Sequence, residues 1–293
     1  MYTSKSKYSV TKLNGTRFVD HAKNSVWIKF LFSVVYAIIV MFPLYNLLLI
    51  SLKSSSELTS SQFSLFVVPD FSSYRKVFIT GGIIHSIKNS CIVATVSTLF
   101  ALLFGLLFAY GFVHIRMRYK KALLFAILIT RMFPPITTLI PVYIAEGKVG
   151  LADTALGLIL PYISFQIPLD IWIVTEFVRQ IPHSIEESAM LDGCGPGRSF
   201  LRITVPLSMP GVVAAGILTF IYNWNELMFA VTLTSQNAKT LPVILKAYTE
   251  SEGGLQWGSV AAIGMVTLFP IILFYAALNK YLEKGLIAGA VKG

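Results

Sequence analysis

Two short polar stretches carry the residue types able to do chemistry in this chain. The first is EESAMLDGCGPG, residues 186–197, with the carboxylates Glu186, Glu187 and Asp192, the thiol Cys194, and Gly193, Gly195 and Gly197. The second is NWNE, the run Asn223, Trp224, Asn225 and Glu226. A Trp ring with neighbouring amides and a carboxylate suits a polyhydroxylated ring, stacking on its face and hydrogen-bonding its hydroxyls. The same set suits packing between subunits, and both readings stay open here. Arg131 and Asp170 stand well inside otherwise apolar blocks, where a charge needs a partner or water. Their depths match, about 14 Å and 10 Å along a helix from the same side. A mutual pair, a charge facing an aqueous path, and shifted span boundaries are the three readings. His21, His85, His114 and His183 are dispersed, and Cys91 and Cys194 have no disulfide or metal-ligand spacing, so no enzyme site is supported.

The elements that must position these residues are long and apolar. The chain has 293 residues, 55% hydrophobic and only 13% charged, too few for a solvated globular surface. Six blocks, 27–52, 83–110, 122–145, 155–177, 210–234 and 258–279, each exceed the ~20 residues a helix needs to cross a bilayer. Continuous apolarity favours helices over alternating barrel strands. The expected fold class is therefore an all-α polytopic membrane protein with six transmembrane helices, residues 27–279. It is flanked by a polar, basic segment 1–26 and a tail 280–293. The first apolar run is too long for a signal-peptide core, so it reads as a retained span.

Lys and Arg number six up to Lys29, four in 116–121, three in 176–202 and three from Lys280. The alternate loops hold three, one and two, which is 16 against 6. The positive-inside rule puts both termini and residues 182–205 in the cytoplasm, and explains the net charge of +10 without nucleic acid. In the longest outer loop, Phe63, Leu65, Phe66, Val67 and Val68 precede Pro69, as a connector or a segment lying on the membrane surface. Pro134 and Pro135 predict a kink beside Arg131. Gly105, Gly111, Gly211 and Gly216 permit close helix approach.

Locally, Ser184 followed by Glu187 fits a capping box, with Glu186 at the favourable end of the same helix dipole. The helix continues through Ile185, Ala189, Met190 and Leu191 and stops at a left-handed turn at Asp192 and Gly193. Gly195, Pro196 and Gly197 bend the chain before a second short helix with Phe200 and Ile203 on one face. The segment is an ordered loop or a compact docking knob. No GxxxxGK[ST] pattern cradles a nucleotide, so ATP-driven work requires another chain.

Glu187, Ser188, Ala189, Asp192, Gly193 and Cys194, followed by Ile203, Pro206, Leu207 and Pro210, resemble the EAA loop of permease subunits in binding-protein-dependent ABC importers. That pattern reads Glu-Ala-Ala, two variable residues, Asp-Gly-Ala, then an apolar segment ending in Leu-Pro. Here Ser188 and Cys194 replace alanines, and Val205 precedes Pro206 in place of leucine. RMFPP (131–135) with Pro141, YNWNELMFAVTLTS (222–235) and KGLIAGAVKG (284–293) resemble the carbohydrate branch and its MalG-like subunits.

The resemblance implies a type I ABC importer permease fold in a prokaryotic cytoplasmic membrane. The helix at 187–193, with Glu186, Ser188, Ala189, Cys194 and Gly195 around it, is then expected in a groove of an ATP-binding subunit. Asp192 and Gly193 shape its turn and Glu187 anchors it. The implied assembly contains a second homologous permease, two ATP-binding subunits holding ATP and Mg, and an extracytoplasmic solute-binding protein, with a carbohydrate as cargo. Residues 287–293 resemble a tail placed between the ATPases. A permease for a non-sugar solute, an ion-coupled secondary transporter and a membrane scaffold are the competing classes. The second of these calls for paired broken-helix repeats, and none is identifiable.

Overall fold

A computed structural model describes residues 15–59, 67–80, 82–250 and 255–290. Residues 1–14, the apolar run from Phe63 to Phe66 and the last three residues of the tail lie outside the described residues. All described regular structure is helical. The chain divides into two units, residues 1–49 and 50–293.

The first unit is the bulk of α1 (Gly15–Ser51), whose apolar stretch Trp27–Ser51 is long enough to span a bilayer. Its side chains from Trp27 to Tyr45 are all exposed. Such a surface suits lipid, where apolar exposure costs nothing.

The second unit begins with two short helices, α2 (Ser55–Thr59) and α3 (Ser72–Arg75), and a π-helical turn Lys76–Thr80. Then come α4 (Ile83–His114), α5 (Lys120–Ile129), α6 (Ile136–Val149) and α7 (Ala155–Arg179). Two short helices, α8 (His183–Leu191) and α9 (Pro196–Ser199), lead through a π-helical turn Phe200–Thr204 into α10 (Val205–Trp224). The chain closes with α11 (Met228–Leu233), α12 (Leu241–Thr249) and α13 (Trp257–Ala290).

Five helical stretches meet the length and apolarity of a span, and a sixth does so only if a bent pair counts as one. That pair is the expected third span. It is broken rather than kinked, with Lys120–Met132 and Ile136–Val149 meeting at 82°. Pro134 and Pro135 have no N–H for the helical ladder, and each disfavours α geometry in the residue before it. Their carbonyls instead accept from Thr137 and Thr138 and start α6. The expected fifth span, 210–234, also needs correction. Its apolar helix runs Pro196–Trp224, so the NWNE run straddles the helix end, with Asn223 and Trp224 in the last turn and Asn225 and Glu226 beyond it.

The core is a three-helix unit of α4, α7 and α10. Residues 162 and 226, 170 and 219, and 177 and 211 meet across α7 and the α10 strand of chain, an antiparallel register with a nearly constant sum. Gly105 against Asp170, with Val93 packed in the same cluster as Leu158, sets α4 parallel to α7. Two glycines make these approaches possible. A Cβ on Gly105 would stand 2.8 Å from the Asp170 Cβ, and one on Gly211 would stand 2.3 Å from the Phe177 ring. At one end of the unit Leu106, Ala109, Val174, Val178 and Ala215 fill the centre. Nearer the other end α13 joins the core. Phe220 stacks on Phe274 at 3.9 Å, and the Trp224 indole N–H donates to the Thr267 carbonyl at 3.2 Å.

Candidate functional site

At the end of the unit where α4 and α7 finish and α10 begins, the short helix α8 is set between a proline start and a glycine stop. Pro182 is the cap residue and no side chain caps the helix. The expected Ser184–Glu187 capping box is therefore absent. Helix begins at His183, which places Ser184 inside the first turn, where its carbonyl accepts the Ser188 hydroxyl at 2.8 Å. The far end matches expectation. The Gly193 N–H donates to the Met190 carbonyl (3.1 Å) and the Cys194 N–H to the Ala189 carbonyl (2.9 Å), the two bonds of a Schellman stop. Gly193 takes φ 82°, which a side chain would oppose.

The helix sorts its residues by face. Glu187, Ser188, Asp192, Gly193 and Gly195 are exposed, and Ala189 and Cys194 are half-buried. Ile185, Met190 and Leu191 form an exposed apolar knuckle, with Leu191 at 90% exposure. Glu186 points the other way and is only 5% exposed. One of its oxygens meets His114 Nε2 at 2.5 Å and the other accepts the hydroxyl of the fully buried Thr204 at 2.8 Å. Tyr110 packs on Phe200 beside them, ring centroids 4.9 Å apart. Nothing in the sequence marks His114, which has no metal-like or nucleophilic spacing to another residue. Among the described residues no His, Cys, Asp or Glu group is arranged to hold a metal.

The second group lies at mid-depth. Arg131 Nη1 donates to the Phe165 carbonyl (3.1 Å) and to Gln166 Oε1 (2.8 Å), and the guanidinium lies over the Tyr222 ring at 5.3 Å. Pro168 has no N–H to offer the carbonyl one turn back, which loosens the ladder there and opens α7 to such a donor. Arg131, Thr130, Ser164, Phe165 and Pro168 line a cleft of about 140 Å³. Asp170 is elsewhere, fully buried against α10 and accepting the Thr219 hydroxyl at 2.7 Å. Among the described residues no ion pair joins Arg131 to Asp170, so their matched depths do not make a contact.

The NWNE run is mostly structural. Trp224 is 1% exposed, stacked on Phe220 and bonded through its indole, so neither ring face is open to a sugar. Asn223 donates to Thr98 Oγ1 at 3.3 Å. Asn225 is exposed and folds back on the Ile221 carbonyl at 2.7 Å. Glu226 accepts the Tyr162 hydroxyl at 2.6 Å and the N–H groups of Phe229 and Ala230, which begin α11. A carboxylate at a helix start is well placed for those donors.

A third group, unmarked in the sequence, ties the opposite end. Asp153 holds φ 57°, and its carboxylate accepts backbone N–H groups of Ser235, Gln236, Asn237 and Ala238 at 2.9 to 3.2 Å. Partial burial opposes its ionisation, but the donors from Asn237, Ser235 and Ala238 prevail and hold the carboxyl well below the usual carboxylate range. Asn89 and His85 bind the Asn237 carbonyl from α4, at 2.8 and 2.6 Å.

A family model described as "Binding-protein-dependent transport system inner membrane component" matches residues 101–288. The chain is 36% identical over 260 residues to the trehalose transport system permease protein SugB of Mycobacterium tuberculosis (strain CDC 1551 / Oshkosh), covering 88% of this chain and 93% of that one. It is 31% identical over 255 residues to the sulfoquinovosyl glycerol transport system permease protein SmoH of Agrobacterium fabrum, covering 86% and 89%. Among solved structures, a chain of a bacterial ABC transporter involved in the import of the acidic polysaccharide alginate superposes with a TM-score of 0.70 at 22% identity, covering 93% of this chain and 99% of that one.

Proposed function

The chain belongs to the family of binding-protein-dependent transport system inner membrane components, and from that premise we propose that it is one permease subunit of a carbohydrate importer, of the MalG-like branch, driven by ATP hydrolysis in separate chains. It works beside a second, related permease, two ATP-binding subunits and an extracytoplasmic solute-binding protein. Both termini and the α8 turn face the cytoplasm. Family membership supports the permease role, and relatives named for trehalose and sulfoquinovosyl glycerol transport support the sugar assignment.

The observation that carries the coupling role is the two-sided character of α8. Leu191 stands 90% exposed at the tip of a helix whose base is buried through Glu186. Leu191, Met190 and Ile185 are exposed together on this helix, and a short helix closed by a Schellman stop transmits displacement without loop rearrangement. In this reading Leu191, Met190, Glu187 and Asp192 meet the ATP-binding subunit. Glu186 belongs to the permease side of the joint, while Ser188, Ala189, Gly193, Cys194 and Gly195 give the helix its shape. The solute path is lined from this subunit by Arg131, Tyr222 and Asn225, whereas Asp170, Asn223, Trp224 and Glu226 hold the helices that form it.

The test uses the reconstituted assembly. A Leu191→Cys permease crosslinks to a cysteine in a surface groove of the ATP-binding subunit, and ATP-dependent uptake of a sugar accompanies solute-loaded binding protein. Absence of any such crosslink counts against the docking role; uptake confined to non-sugar solutes sinks the carbohydrate assignment.

A further inference from the structure

Glu186 is the only carboxylate of the α8 stretch that the fold buries. Its neighbours show what it joins. The helix α8 continues from α7 through the short link at Gln180, Ile181 and Pro182. Glu186 then reaches His114 in the last turn of α4 at 2.5 Å and Thr204 at the entry to α10 at 2.8 Å. A helix nine residues long thus grips all three helices of the core, one by the chain and two by a single carboxylate.

The chemistry of that grip follows from its partners. His114 Nδ1 lies 2.8 Å from the Tyr110 carbonyl, which can only accept, so Nδ1 carries a hydrogen. Nε2 faces a Glu186 oxygen at hydrogen-bond distance. One further proton must therefore lie between Nε2 and the carboxylate, on one atom or the other. Without it, a ring lone pair and a carboxylate lone pair face each other in a site where Glu186 has almost no contact with water. The groups facing this contact are Tyr110 on α4 (ring centroid 4.0 Å from His114), His183 on α8 (6.3 Å, edge-on) and the Thr204 hydroxyl. Lys120 is tied to the Val113 carbonyl nearby at 2.8 Å.

We propose that His114 and Glu186 form a proton-held joint that carries movement of α8 into α4 and α10, with His114 as its positioning residue. The joint rests on the reading that α8 docks on an ATP-binding subunit. It makes coupling weaken as pH rises, because the bridging proton is lost while the α8 surface that meets the partner is untouched. An arginine at position 114 keeps a permanent charge against Glu186 and removes the dependence on that proton.

The experiment measures solute taken up per ATP hydrolysed by the full assembly in proteoliposomes, across a pH series from about 6 to about 9. In wild type the ratio falls as pH rises. His114→Gln and Glu186→Gln lower it about tenfold at neutral pH, the scale of a lost charged hydrogen bond. His114→Arg restores the ratio and flattens its pH profile. If the Gln variants do not assemble, the wild-type and His114→Arg profiles still decide. The joint is overturned if His114→Arg keeps the wild-type pH slope, or if His183→Gln flattens the profile in its place. A Leu191→Cys crosslink to the ATP-binding subunit is run in parallel. Its loss in the otherwise wild-type background refutes the docking reading itself, whereas a sound crosslink with an unaltered His114→Arg profile refutes the joint alone.

Discussion

Gly211→Ala tests the helix packing on which both sites depend. The added Cβ would lie 2.3 Å from two ring atoms of Phe177 and 2.7 Å from its Cβ. Ordinary carbon contacts begin near 3.5 Å, so the groups must separate by about 1 Å. The Phe177 Cβ is fixed to the α7 backbone, and rotating the ring about its own axis leaves both the 2.7 Å approach to that atom and the 2.3 Å approach to Cγ in place. Overpacking of this kind costs ~1–3 kcal/mol, and this contact belongs at the upper end. Alanine returns up to ~1 kcal/mol of helix propensity, which leaves a net loss of ~2 kcal/mol. Gly111→Ala is the matched control, since its nearest atom is the tip of Ile115 at 3.9 Å. There the propensity gain stands alone and the variant is neutral or more stable. Thermal unfolding of the detergent-solubilised complex, read as the shift of each variant against wild type, measures both. Adding Phe177→Ala to Gly211→Ala, which removes the two ring atoms at 2.3 Å, costs less than the two single losses combined, an interaction expected of touching residues. Equal stability of Gly211→Ala and wild type, or a Gly111→Ala variant worse than Gly211→Ala, would refute the close-approach account.

At the opposite end, Asp153→Asn keeps a residue that tolerates positive φ but removes the charge, and Asp153→Ala loses both. Amide exchange at Ser235 to Ala238 should rise in the first and rise further in the second. Because the folded carboxyl lies below its unfolded value, the Asp153 contribution is fully present above about pH 4 and is lost as pH falls further, so exchange corrected for its intrinsic pH dependence increases only on the acid side. Tyr162→Phe leaves Glu226 without its hydroxyl donor and lowers stability by ~1–3 kcal/mol in the same unfolding assay. Arg131→Lys replaces a planar fork that serves Phe165, Gln166 and the Tyr222 face together by a point charge. Its uptake rate should fall more than its ATPase rate, measured side by side in proteoliposomes.

Much of the α8 turn is legible in the sequence. Asp-Gly-Cys-Gly-Pro ends a helix for local reasons, and the Schellman bonds at Gly193 and Cys194 carry this out within a few residues. The helix start differs from the local expectation because Pro182 serves as the cap residue, ahead of the serine and glutamate pattern, so helix begins at His183. Glu186 and Glu187 are adjacent and chemically equal, and only the orientation of α8 against α4 and α10 decides that one is buried and the other exposed. His114 and Glu186 are 72 residues apart, with no pattern linking them.

The spans show the same division. Apolar blocks of bilayer length are a property of the chain alone, because lipid demands internally bonded helices whatever their neighbours. The break at Pro134 and Pro135 is likewise local, since a missing N–H is felt within one turn. Counting along helices gave Arg131 and Asp170 matching depths but said nothing of azimuth, so the pairing of Arg131 with Gln166 and of Asp170 with Thr219 waited on packing. The sequence by itself determined the apolar blocks of bilayer length and the local stops at Gly193 and at Pro134 and Pro135, through interactions that reach one turn. The tertiary structure alone decided which polar side chains meet, because rotation of each helix about its axis is set by distant contacts such as Gly211 on Phe177 and Gly105 on Asp170.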